Sequence, residues 1–178
     1  MTGIVNSTGA RSGVIGTTVG TPTSGITHAS SWVVNDNLTG GHNPISTDLS
    51  ELSRDGYTRK GAALTQSSGV FTFPVTGLWY ILFQVTAEMN DDSRRNSIYI
   101  ITTHDDSTWV DAAVSGHHIS RAESDWTRSM AMCSHLFSVG GVTTHKVSFQ
   151  IAFHVDVVTQ GSANSMFTGM QFIRLGDL

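Results

Sequence analysis

The stretch from Ser67 to Val85 leaves few folds open. Phe71, Phe73 and Val75 alternate with Val70, Thr72 and Pro74, the period of a strand with one buried face. Pro74 cannot donate a ladder hydrogen bond and Thr76-Gly77 is turn chemistry, so one strand ends there and another begins. The second strand is apolar on both faces near its start: Trp79, Ile81, Phe83 and Val85 point one way, Tyr80 and Leu82 the other. An antiparallel strand in a sandwich normally wets one face, so the second apolar face is expected at a subunit interface. The alternative is a loop of the same protomer lying over it.

The same period recurs along the chain. Ser30 to Val34 reads as a first strand, and Ile45 to Leu52 either as a helical turn with a capped start at Thr47 or, as better fits the family resemblance given below, as an irregular edge strand. Ser97 to Thr103, Thr108 to Val114 and Met130 to Val139 follow, then Lys146 to Val155 with Val147, Phe149, Ile151, Phe153 and Val155 on one face. Glu88 to Asn96 reads as a charged loop and Gly116 to Arg128 as the longest loop. Strands at this spacing, with no helical period of useful length, predict an all-β sandwich or jelly roll.

Particular residues carry a family resemblance. Leu64, six residues, Phe71, five residues, Gly77, then Trp79, Ile81 and Phe83 on alternate positions resemble the aromatic motif of the complement C1q-like head, sister to the tumour necrosis factor fold. Met166 to Ile173 looks like that family's last strand. The chain departs from the family at Arg59, where Asn or Asp is usual, and at Ser53, where a Phe is usual. The resemblance covers Thr27 to the C-terminus and implies a ten-strand jelly-roll head, residues 27–178, that assembles as a tight homotrimer. It places Tyr80 and Leu82, with Met170 and Phe172 of the last strand, toward the threefold axis. The last strand's own pattern agrees that it has two apolar faces, Met166, Met170 and Phe172 with Thr168 on one and Phe167, Ile173 and Leu175 on the other.

Residues 1–26 differ from the head. Gly3, Gly9, Gly13, Gly16, Gly20 and Gly25 punctuate Ser, Thr, Ile and Val, and Arg11 is the one charge. Such a segment cannot bury a core by itself. Either it is a solvated tail or it is an extended anchoring arm, in which Ile4, Val5, Val14, Ile15 and Val19 are apolar hooks that lie along another protein. The arm is the reading adopted. Asn6 to Gly16 also resembles a segment recurring in structural proteins of tailed bacterial viruses.

Composition narrows the function. The 178 residues suit one domain, only 13% are charged, and the net charge is −4 with no basic cluster longer than Arg94-Arg95, so nucleic acid is not an expected partner. No stretch reaches the length of a membrane span, and the N-terminus lacks the basic head and apolar core of a signal peptide. The single cysteine, Cys133, excludes an intrachain disulfide and is expected to pack in the core, which fits assembly in a host cytoplasm.

No pattern for chemistry is visible. The eight histidines, His28, His42, His104, His117, His118, His135, His145 and His154, lack metal-ligand spacing, although at subunit contacts their protonation near pH 6 would add like charge. Asp91-Asp92 and Asp105-Asp106 lack the alternating oxygen ligands of a calcium loop and read as solvated turns. No Gly-x-Ser-x-Gly elbow or acid-base set occurs, so no enzyme, metal or cofactor is expected. The expectation is a virion protein: a trimeric decoration or cement protein of a tailed bacterial virus, fixed to the major capsid protein or another virion protein by its arm. The alternative is an adhesin at a fibre tip, with Arg94, His117, His118 and Trp126 on recognition loops that meet a host surface or glycan. A secreted C1q-like signalling ligand is disfavoured by the missing leader and collagen-like repeat.

Overall fold

The computed structural model describes residues 25–122 and 124–178, and its described elements are all strands. The proposed arm contacts Ile4, Val5, Arg11, Val14, Ile15 and Val19 lie outside the described residues. In chain order the strands are β1 (Ala29–Val34), β2 (Leu38–Thr39), β3 (Leu49–Glu51), β4 (Thr65–Ser67), β5 (Val70–Thr72) and β6 (Gly77–Met89). They continue as β7 (Ser93–Thr103), β8 (Trp109–Ile119), β9 (Thr127–Val139), β10 (Lys146–Ala152), β11 (Val158–Thr159) and β12 (Gly169–Gly176). A seven-stranded sheet and a five-stranded sheet, ordered β4-β5-β10-β7-β8, face each other as an antiparallel jelly roll. Twelve strands stand among the described residues where ten were expected, two of them being the two-residue pair β2 and β11.

β6 is the spine of the larger sheet. One side pairs with β9 along all 13 of its residues; the other pairs with β12 from Leu78 to Gln84 and with β11 at Ala87 and Glu88. Between those two partners the backbone must still be satisfied. Thr168 Oγ1 accepts from Thr86 N at 3.3 Å, Thr86 O accepts from Gln160 N at 2.8 Å, and Gln84 Nε2 donates to Met166 O at 3.1 Å.

The alternation expected of β6 is realised: Trp79, Ile81, Phe83 and Val85 are fully buried between the sheets. Phe71 of β5 bridges the layers, its ring 5.1 Å from Trp32, 5.5 Å from Phe149 and 5.2 Å from Phe172. Each such ring adds about 1.5–3 kcal/mol of burial, and edge-to-face pairs add more. β4 and β5 join through Ser68 and Gly69, both at positive φ (49° and 84°), as a two-residue hairpin turn of right-handed twist requires. A Cβ on Gly69 would lie 2.3 Å from Ile45 O.

Three segment boundaries differ from expectation. Glu88 belongs to β6, Arg94 and Asn96 to β7, and Gly116 to Ile119 to β8, which leaves Asn90–Asp92 and residues 120–126 as the connections. β8 is an edge strand held by β7 on one side, so polar residues along it satisfy the ladder without needing two apolar faces, and local polarity reads as loop. β10 ends at Ala152, so Val155 lies in the following turn, exposed, instead of sharing the buried face of Val147, Phe149 and Ile151.

Candidate functional site: the outer face of the seven-stranded sheet

Side chains that face each other across an antiparallel ladder share a side of the sheet. Tyr80 therefore shares the outer face with Leu136 of β9 and Ile173 of β12, and Leu82 with Ser134 and Gln171. Met132 stands beside Gln84 and Met130 beside Thr86 on the same side. Met130, Met132 and Leu136 are 62%, 53% and 56% exposed, while Tyr80, Leu82 and Ile173 are half-buried. The face thus carries one apolar row, Leu136-Tyr80-Ile173, and two protruding thioethers beside it. Beyond them Phe167 is exposed, with the Arg128 guanidinium 5.9 Å from its ring centre, and Arg128 Nε also holds Glu88 at 2.8 Å.

Two of the four expected axis residues are corrected by the register. Met170 stands opposite Phe83 and Phe172 opposite Ile81, so both point between the sheets and are fully buried within the protomer. The last strand does have two faces, but Ile173 and Gln171, not Met170 and Phe172, accompany Tyr80 and Leu82. The signal that β9 contributes was present in the sequence: Met130, Met132 and Leu136 on one parity, Ala131, Cys133, Phe137 and Val139 on the other, the doubly apolar signature of β6.

The four expected recognition residues are not loop residues of one kind. Arg94 sits exposed in the bulge at the start of β7, and His117 and His118 are on β8. His118 is exposed, whereas the His117 ring packs edge-on against Phe153 at 5.3 Å, and burial, then the neighbouring His118, lowers its pKa. Neither nitrogen of His117 has a hydrogen-bond partner, so it is a packing residue. Trp126 lies in the connection before β9 and is 53% exposed. The structure does bring the two expected loops to one end of the sandwich, where Asn90 Nδ2 donates to Ser124 O at 3.3 Å and Asp92 Oδ1 accepts from Arg121 N at 2.7 Å.

At the opposite ends of β7 and β9, His104 stacks edge-on to His145 at 4.7 Å, and both rings and His135 surround Phe137. Burial first, then His104, lowers the pKa of His135 and His145. Asp105 is a turn residue: its Oδ1 accepts from Ser107 N at 2.9 Å and Thr108 N at 2.7 Å, and these bonds hold its carboxyl well below the usual range. Cys133 is buried in the core with its thiol pushed up to about 11, chiefly by burial, as core packing requires. Among the described residues no cluster of His, Cys, Asp and Glu has the arrangement of a metal site.

These strands, sheets and registers define a jelly-roll protein of tumour-necrosis-factor-like fold. The chain is similar to Eiger TNF from S. frugiperda, with a TM-score of 0.61 at 11% identity over 84% of this chain and 93% of that one. It is also similar to murine APRIL in crystals at pH 5.0, with a TM-score of 0.59 at 9% identity over 83% of this chain and 98% of that one. No protein-family model and no curated protein sequence matches. At such identities the likeness establishes the fold, and the function rests on the surface just described.

Proposed function

We propose that this chain is a non-enzymatic structural protein that works as a homotrimer, decorating or cementing the shell of a tailed bacterial virus to which residues 1–26 fasten it. The observation that carries the oligomeric part is the outer face of β6, β9 and β12, where Leu136, Tyr80 and Ile173 form a continuous apolar row flanked by Met130 and Met132. A contiguous apolar patch of this kind marks an association surface on a soluble domain. In a ring of three, the face of one protomer meets a different surface of the next, and the ring closes without leaving the patch exposed. The jelly-roll fold supports the same arrangement, through the C1q-like resemblance of Phe71, Gly77, Trp79, Ile81 and Phe83.

The virion part is supported by the sequence of the first 26 residues, short apolar hooks between glycines, and by the likeness of Asn6 to Gly16 to a segment of tailed-virus structural proteins. Three arms on one trimer make each later contact with the shell intramolecular, which raises avidity by about 10²-fold or more over a single arm. Deleting residues 1–26 should leave a soluble trimer that no longer occupies particles, and gold-labelled antibody on intact particles should decorate the shell. Label confined to the tail would overturn the capsid assignment in favour of the adhesin, which the half-exposed Trp126 at the joined loop end favours.

A further inference from the structure

Residues 52 to 60 leave the edge of the seven-stranded sheet and return to it with both feet fastened. Leu52 N donates to Ser31 O at 2.8 Å, and Lys60 exchanges backbone hydrogen bonds with Ala29 at 2.9 and 3.0 Å. Between the feet, Tyr57 N closes a turn onto Arg54 O at 3.0 Å and Gly56 takes a positive φ of 85°. A loop with its ends held together is a compact unit of the kind that often carries function.

The Tyr57 hydroxyl accepts from Ser31 N at 3.0 Å and donates to Glu51 Oε1 at 3.0 Å, while Glu51 Oε2 receives Arg59 Nη1 at 2.6 Å. Across the loop Arg54 Nη1 donates to Ser165 Oγ at 3.3 Å, on the segment before β12. These groups surround an open cavity of about 610 Å³ lined by Glu51, Arg54, Asp55, Tyr57, Arg59 and Gly61.

The lining specifies a ligand class. Its volume falls in the roughly 300–1,000 Å³ range of small-molecule sites, yet its walls are polar where such sites are usually apolar. Two guanidinium groups and two carboxylates cancel in formal charge, which disfavours a simple anion or cation. Each guanidinium has five N–H donors, and Arg54 and Arg59 each give one to a protein acceptor. The lining thus offers guanidinium donors and a carboxylate acceptor together with no net charge, which suits a neutral ligand that carries both donors and acceptors.

We propose that this cavity binds a neutral, hydroxyl-rich saccharide of one or two residues. Arg54 and Arg59 donate to its oxygens and Asp55 accepts from a pair of its hydroxyls. Tyr57 and Glu51, held by each other and by Ser31, keep the Arg59 fork in place. The site lies at the β1–β3 edge, across β12 and β6 from Leu136 of β9, and does not rest on the trimer or virion reading.

Saturation-transfer NMR on the full chain tests it with glucose, galactose, N-acetylglucosamine, maltose and lactose, and with sialic acid and inorganic phosphate as charged controls. The expected result is transfer to at least one neutral sugar at about 1–10 mM, a range that corresponds to a weak, shallow site. Arg54→Ala and Asp55→Asn, at exposed positions, should each weaken that binding about tenfold or more while thermal unfolding stays unchanged. Leu136→Asp, on β9 across the sheet, should not affect it. Three results would overturn the proposal: no transfer from any neutral sugar, equal transfer to the Arg54 and Asp55 variants, or binding confined to sialic acid or phosphate.

Discussion

Met170 of β12 stands directly opposite Phe83 of β6, and the residue before Phe83, Leu82, stands opposite Gln171. This one-residue offset separates the interior of the protomer from its association face, because a strand's side chains alternate between the two. Met170→Asp should therefore unfold the protomer, while Leu82→Asp or Leu136→Asp should leave strand content intact and lower the oligomeric state. Circular dichroism with light scattering distinguishes the two outcomes. A folded protein of lower mass from Met170→Asp would contradict the register.

The aromatic contact between sheets runs through Phe71, against Trp32, Phe149 and Phe172. Phe71→Ala is expected to cost about 3–5 kcal/mol through lost burial and the cavity left behind. Urea denaturation should show a lower midpoint with little change in slope.

Gly69 sits at φ +84°, with its missing Cβ aimed at Ile45 O. Gly69→Ala combines a left-handed conformation costing about 1–2 kcal/mol with a steric conflict against backbone, so it should destabilise by at least that amount. Ser68→Gly, at φ 49°, relieves the neighbouring strain and should be neutral or mildly stabilising, both variants being read by urea denaturation.

Acid should weaken the fold before it reaches the carboxylates. His135, His145 and His117 all have pKa values lowered from 6.5, with burial the leading cause. The unfolded chain then binds more protons, so this share of stability is fully present above pH 6.5 and is lost as pH falls through the folded-state values. Asp105, whose pKa is also lowered, contributes above its ordinary carboxylate value and loses its share only at much lower pH. Urea midpoints should drop between pH 7 and pH 5, and His135→Gln with His145→Gln should flatten part of that slope.

Cys133 should be inert in the folded protein. With its thiol raised to about 11 and buried, it should react with a disulfide reagent at pH 8 only when the chain is unfolded, giving one thiol per chain in denaturant.

The fold was legible because its core obeys a strict period of two: Phe71 and Phe73, Trp79 to Val85, and Val147 to Ile151 each announce a strand and its buried side. The face was half legible. Tyr80 and Leu82 stand out as a second apolar parity, but pairing them with Ile173 and not Phe172 needs the register, which depends on where β12 begins along β6. The second half of edge strand β8 was hidden because Ser115, Gly116 and His117 pair with β7 without an apolar signal. The cavity at Tyr57 left no local trace, since it arises from two backbone anchors on β1, some thirty residues earlier in the chain.

Sedimentation equilibrium of the full chain at low micromolar concentration bears most directly on the association face. Three chains of 19.1 kDa each moving as one species is the expected result, with Leu136→Asp shifting the population toward single, folded chains. A wild-type protein that sediments as one 19.1 kDa chain would contradict it.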